Sequence, residues 1–217
     1  MRYIKKSDEP ESFAAWKELA NEDWKPSWKG FSKPQKTDVH NALLQEQGFI
    51  CCYCGMRITK ETSHIEHLKP RTTYPDLSLE YNNLLTSCQG ESEEAPPEPV
   101  HCRHKKAKWY DEHLIVSPLE VNCTDFFEYN GDGEILPTED LDKQYAAETT
   151  ISRLGLNIAK LMAMRREAID GVLLGIEELT DEEIQQLAQG YAQPDADGRY
   201  TPFCTAIAYI FNQYFVA

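Results

Sequence analysis

This chain lacks the positive charge to balance its acids. Lysine and arginine number 22 against 36 aspartates and glutamates, a formal net charge of -14 over 217 residues. That balance excludes affinity for a polyanion through bulk charge. Phosphate binding would have to be concentrated locally or supplied by a partner. Long apolar runs are missing too, so no segment reads as a helical membrane span. Met1–Glu9 lacks the apolar stretch of a secretory leader, which leads us to expect a cytoplasmic protein. There is no internal repeat. Asp195-Ala196-Asp197-Gly198 lacks the spaced acids and closing glutamate of a calcium loop and reads as a turn.

The charge is unevenly spread. From Glu139 onward acids outnumber bases 13 to 6, whereas residues 101–110 carry Arg103, Lys105, Lys106 and Lys108 and no acid. Just before them lies a stretch with Glu91, Glu93, Glu94 and Glu98 and no base. This Glu/Pro segment, 89–100, is expected to be a mobile loop. Seven cysteines in a reducing compartment argue for metal binding over disulfides.

Periodicity predicts an N-terminal helix near Pro10–Leu19, with Phe13, Trp16 and Leu19 on one stripe. The following Trp24-Lys25-Pro26-Ser27-Trp28-Lys29-Gly30-Phe31 is expected to be extended and packed by its aromatics, with nucleic-acid stacking as the alternative. A second helix should start at Thr37 or Asp38 and stop at Gly48. Ser63–Leu68 reads as a strand, and Tyr81–Ser87 with Cys102–Tyr110 should complete a hairpin and helix. Beyond 139 the pattern is helical, at Ala147–Leu156 and Ile158–Ile176. A capping box at Thr180-Asp181-Glu182-Glu183 opens another helix. Thr201-Pro202 precedes a last apolar helix, Phe203 to Phe215.

The chemistry-bearing residues come in a fixed order. Cys51 and Cys54 form a Cys-x-x-Cys pair. Glu66-His67 precedes Leu68-Lys69-Pro70, Asn82-Asn83 follows, then Cys88 and Cys102-x-His104-x-Lys106. Four thiolates close a tetrahedral structural metal site. Cys88 and Cys102 are chosen as the second pair, although 13 residues separate them. His101 and Cys123 stay open as alternatives. A neutral histidine can serve as a general base near neutral pH. His64 lies two residues from Glu66, on the same strand face, whereas Glu66 and His67 as neighbours should point to opposite faces. Taken singly, each of these residues is as easily read as core or solvated surface; their order is what suggests a site.

That order resembles the HNH nucleases, built on the ββα-metal motif. Met1-Arg2-Tyr3-Ile4-Lys5-Lys6, the Ile50–Arg71 block, Leu154-Gly155-Leu156-Asn157 and Thr201-Pro202-Phe203 extend the likeness to the PtuB-type HNH subunit of Septu antiphage systems and to effectors beside certain retrons. The resemblance implies an α+β fold, with an arm at 1–36, a zinc-braced HNH module at 37–125 and a helical region at 126–217. It implies hydrolysis of DNA phosphodiesters with His67 as base, Asn83 orienting it, and Glu66 and His104, with His64 as a further ligand, on a Mg²⁺ or Mn²⁺ ion. Asn82 and Arg103 are the alternatives at the Asn83 and His104 positions. Lys69, Arg71, Lys105 and Lys106 would contact phosphates. An ABC/SMC-type ATPase like PtuA is the implied partner, with a retron reverse transcriptase and its DNA in some relatives. Most side chains of the apolar C-terminal helix are expected in the core, while the exposed part of the helical tail and the aromatic arm are expected to face that partner. A zinc-folded adaptor that does not cut, and an RNA nuclease, are the competing readings.

Overall fold

A computed structural model of the chain describes residues 1–90 and 99–215. Residues 91–98, most of the expected mobile loop, and Val216-Ala217 at the end of the apolar tail lie outside the described residues. The fold is α+β, with seven α-helices and two small antiparallel hairpins among the described residues.

The helix α1 (Glu11–Glu18) packs on α2 (Gln35–Glu46). The expected cap at Thr37 or Asp38 is not used. α2 begins after Pro34, and Asp38 instead accepts a 2.7 Å hydrogen bond from Ser12 Oγ, tying the two helices together. Gly48 ends the helix as expected, with φ at 58°, where a Cβ would sit 2.3 Å from the Tyr200 ring.

Strands β1 (Ser63–His67) and β2 (Leu84–Cys88) pair antiparallel, with Ser63 opposite Cys88 and His67 opposite Leu84. Side chains alternate across this hairpin. Ile65 and Leu84 point to one side and join Phe13, Phe31, Val39, Leu43 and Tyr81 in a small core beneath α1 and α2. The arm closes that core as expected: the Phe31 ring lies 4.9 Å from Phe13 and 5.3 Å from Trp28. Leu85 points the other way, and both it and Cys88, at the strand end, belong to the main core. The short helix α3 (Cys102–Lys106) packs on β2 from this second side.

A second hairpin, β3 (Phe127–Tyr129) with β4 (Ile135–Pro137), was not anticipated. Its signal was present, since Asn130-Gly131-Asp132-Gly133 between apolar flanks is a hairpin turn. Asn130 Oδ1 accepts from the amides of Asp132 and Glu134, and Gly133 takes φ of 77°. Asn157 then clamps β4 by bonding both the amide and the carbonyl of Ile135.

The helices α4 (Leu141–Leu154), α5 (Ala159–Leu173), α6 (Asp181–Tyr191) and α7 (Cys204–Tyr214) complete the main core. α4 starts at Leu141 rather than Ala147, because Asp140 caps it through the Asp142 amide. The Thr180–Glu183 capping box forms in full. Most of the last helix is core, as expected: Phe203, Cys204, Ala206, Ile207, Ile210 and Phe211 fill it against α5 and α6. Tyr214 is the large apolar side chain of α7 that stays exposed. No helix among the described residues is long and apolar enough to cross a membrane.

Candidate active site and metal centre

The knuckle Cys51–Cys54 follows α2 directly and sits where β2 ends. It brings Cys51, Cys54, Cys88 and Cys102 together, all buried, with their sulfurs within 4.8 Å of one another. Cys51 and Cys102 sulfurs are 3.9 Å apart, as are those of Cys54 and Cys88. A tetrahedron of thiolates around zinc, with Zn–S of about 2.3 Å, has edges of about 3.8 Å. The four residues therefore fit, and the group could hold a structural metal such as zinc. The Cys88 amide points at Cys51 Sγ from 3.3 Å, as an amide stabilising a thiolate would.

The thiols respond to this crowding. Burial opposes ionisation of Cys51, but hydrogen bonds from Cys102, Cys52, Cys54 and Cys88 outweigh it and bring its thiol well below the usual range. Burial pushes Cys102 well above it, and the negative character of Cys51 adds to the effect.

The long gap between Cys88 and Cys102 is closed by backbone. The His101 amide donates to Gly90 O at 3.0 Å, so the two ends of the intervening segment are pinched together. A Cβ on Gly90 would meet the His101 carbonyl oxygen at 2.2 Å. Of the two alternatives, Cys123 belongs to the main core and is not in the cluster. His101 stands beside it, Nδ1 lying 3.2 Å from Cys102 Sγ and 3.8 Å from Cys88 Sγ.

On the α3 side of β1 lie His64 and Glu66. The Glu66 carboxylate is buried and already engaged. Lys106 Nζ is 2.9 Å from Oε1, Arg103 Nε is 3.5 Å from Oε2, and the Tyr53 hydroxyl donates to Oε1 at 3.2 Å. Burial raises the Glu66 carboxyl above its ordinary range, and Lys106, Arg103 and Tyr53 oppose the rise. Lys106, expected on phosphate, is buried and also donates to the His67 carbonyl at 3.0 Å. The His64 and His104 rings approach to 6.2 Å. Among the described residues, the four cysteines are the one group of three or more potential ligands gathered around a point. A Mg²⁺ or Mn²⁺ ion on Glu66 does not fit the residues as they stand, because cations already occupy both oxygens.

His67 faces the other way. Its Nε2 lies 3.0 Å from the Ser78 carbonyl, which can only accept, so Nε2 carries the proton and Nδ1 the lone pair. The Trp28 ring meets the imidazole edge-on, centroids 4.3 Å apart. Burial, aided by Arg71, Lys106 and Arg103, pulls its pKa down to about 4 against the pull of Ser78. The imidazole is therefore neutral across the physiological range. Asn83, also buried, holds the loop between the strands at three points: Oδ1 accepts from the Lys69 amide at 2.8 Å, and Nδ2 donates to the carbonyls of Lys69 and Leu77 at 3.0 and 3.1 Å. Asn82 is exposed, while Lys69 lies over Tyr74 and Tyr110, and Arg71 over Trp28. Lys105 is exposed on α3. The contact of Trp28 with His67 is the feature that sequence reading missed; nothing local links positions so far apart.

No family model matches the chain. A Vibrio cholerae (serotype O1 biovar El Tor) protein, named as a candidate HNH endonuclease of retron Vc95, is 29% identical over 143 residues, 64% of this chain and 66% of that protein. The Septu protein PtuB of Bacillus thuringiensis is 38% identical over 56 residues, 25% of this chain and 22% of that protein. The matches thus span less than two thirds of either relative's length. By these two likenesses the chain resembles an HNH-type nuclease of the kind found in retron and Septu defence systems.

Proposed function

We propose that this chain is an endonuclease that hydrolyses DNA phosphodiester bonds, acting as an effector in antiphage defence. The observation that carries this reading is His67: a buried, neutral imidazole with a fixed tautomer, on a hairpin end secured by Asn83 and beside Arg71. In the reaction, water adds to phosphorus as its proton passes to Nδ1 of His67, and the ester oxygen leaves with its bonding pair. Arg71 and Lys69 offset the charge on the phosphate oxygens. Asn83 keeps the 69–77 loop, and with it Arg71, in register. The four-cysteine group, holding zinc, would anchor the opposite, Ser63–Cys88 end of the hairpin and, through Cys102, the start of α3, whose Lys106 reaches the His67 carbonyl.

The saturated Glu66 carboxylate favours a second reading, a zinc-folded adaptor that binds a partner without cutting. The two readings separate in one assay: plasmid incubated with purified protein or its His67→Ala variant, in Mg²⁺ or Mn²⁺ and with chelator. Cleavage by the parent and none by His67→Ala supports the nuclease. Equal cleavage by both refutes it, and no cleavage by either, alone or with the partner, supports the adaptor. Parallel RNA substrates decide the nucleic acid. Cleavage lost in chelator and restored by Mg²⁺ or Mn²⁺, with zinc content and melting unchanged, would show that a second ion is required.

For the partner we infer an ABC/SMC-type ATPase, with a retron reverse transcriptase as a further member of the assembly. The likeness to PtuB and to a retron protein supports this, and a carrier would answer the net charge of -14. With α7 largely buried, the surfaces left for this contact are Tyr214 and the exposed face of residues 1–23 of the arm. Co-purification with the neighbouring ATPase, using chains changed at each surface, tests it.

A further inference from the structure

Residues 24–36 hold Lys25, Lys29, Lys33 and Lys36 and no acid, in a chain with net charge -14. All four lysines are exposed. Lys6, Lys17, Lys106 and Lys143 each pair with a carboxylate, but none of the arm lysines does so among the described residues. A cluster of unneutralised cations on an acidic protein repels itself and is suited to an anion from outside.

Trp28, within this segment, reaches the candidate base. Trp28 meets His67 edge-on at 4.3 Å between centroids. Over the same indole lie the Lys36 ammonium, 5.3 Å from its centroid, and the Arg71 guanidinium at 5.6 Å. Aromatic faces attract cations through their quadrupole. One indole thus gathers the imidazole and two cations from different parts of the chain. Packing on Phe31 explains why the ring is held, but not why two cations converge on it.

We propose that the arm from Trp24 to Lys36 is a phosphate track for nucleic acid leading to His67, with Trp28 as its positioning residue, a proposal that rests on the nuclease reading above. Arg71 and Lys36 meet the phosphate nearest His67. Lys25, Lys29 and Lys33 meet its neighbours along the strand. A polyanion fits this better than a small anion, because the charges are distributed along the segment. Nucleic acid fits it better than an acidic protein, because the segment touches the group that would act on a phosphodiester.

The test measures binding apart from cleavage. The full chain carrying His67→Gln is titrated with fluorescent duplex and single-stranded oligonucleotides over a range of salt. Adding Lys25→Gln, Lys29→Gln and Lys33→Gln should weaken binding at low salt by about tenfold or more and make the log–log salt slope shallower by roughly 2–3. Affinity and slope equal to the parent's would overturn the track, as would a parent that binds neither form. Capture of an acidic protein by these lysines, with nucleic-acid binding unaffected, would also overturn it. Trp28→Phe should retain most of the affinity, whereas Trp28→Leu, with melting and metal content unchanged, should lose it. Equal binding by Phe and Leu variants would reduce Trp28 to packing. The nuclease reading fails separately: arm-dependent binding with no cleavage by the intact His67 protein, alone or with its partner, would sink the enzyme and leave the track standing.

Discussion

Lys106 and Glu66 form a buried ion pair, Nζ to Oε1 2.9 Å, at the junction of β1 and α3. The ammonium also caps the His67 carbonyl, so the pair fixes the strand end that carries the candidate base. Removing one partner strands a buried charge, which costs about 3–5 kcal/mol, whereas removing both costs far less. Lys106→Met should therefore lower unfolding free energy by about that amount. Glu66→Gln with Lys106→Met should recover much of it. Denaturant unfolding of the two single variants and the double would show this as a coupling energy, and additive losses would contradict the pairing.

The cysteine group should hold zinc. Elemental analysis of the purified chain is expected to find about one ion, lost in Cys102→Ser and kept in Cys123→Ser. Removing it with chelator should lower the melting temperature sharply, because metal binding is coupled to folding in so small a hairpin unit. Metal retained in full by Cys102→Ser would exclude the assignment.

Gly90 should matter as much as a ligand. With φ at 69° and the His101 carbonyl 2.2 Å from any Cβ, Gly90→Ala forces the ends of the 91–100 excursion apart. Cys102 then loses its place, and zinc content and melting should both fall. A Gly131→Ala variant, where a Cβ meets nothing within 4 Å, is the control.

Asn83→Ala removes three hydrogen bonds to the 69–77 backbone. Each is worth about 1 kcal/mol, so a destabilisation on the order of 1–3 kcal/mol is expected. Hydrogen exchange should speed at the Lys69 amide more than in α5 or α7. Unchanged protection there would show that the asparagine does not hold the loop.

Acid should weaken the fold through His40 before ordinary carboxylates titrate. His40 is buried with Nε2 2.9 Å from Ser63 Oγ, and burial, with Lys60, His64 and Lys36 nearby, lowers its pKa to about 4. Unfolded, a histidine titrates near 6.5. Between these values the unfolded chain binds the extra proton, so stability is full above about pH 6.5 and is lost as pH falls toward 4. His67, lowered to about 4 as well, adds in the same direction. Denaturation curves of His40→Gln should show a shallower acid slope across that window.

Patterns of neighbouring residues were legible in the chain itself. The Phe13–Trp16 face of α1, the glycine that stops α2, the Thr180–Glu183 box and the apolar run of α7 each follow from backbone geometry within a few residues, although Leu19, expected on the same stripe, lies past the end of α1 and is exposed. The order of cysteines, Glu66-His67, Asn83 and His104 pointed to the HNH likeness by resemblance to a family, not by local geometry. The β3–β4 turn was a local signal and was overlooked. Tertiary structure alone decided the rest. That Cys102, not Cys123, joins the cluster depends on the Gly90–His101 pinch. That Glu66 faces Lys106 while His67 faces Trp28 depends on which helix covers each side of β1. That α7 is core and not a free docking face depends on α5 and α6 packing over it. Such outcomes are set by burial and by charge pairing between residues far apart in the chain, and spacing along a sequence carries no record of which distant partner a side chain will meet.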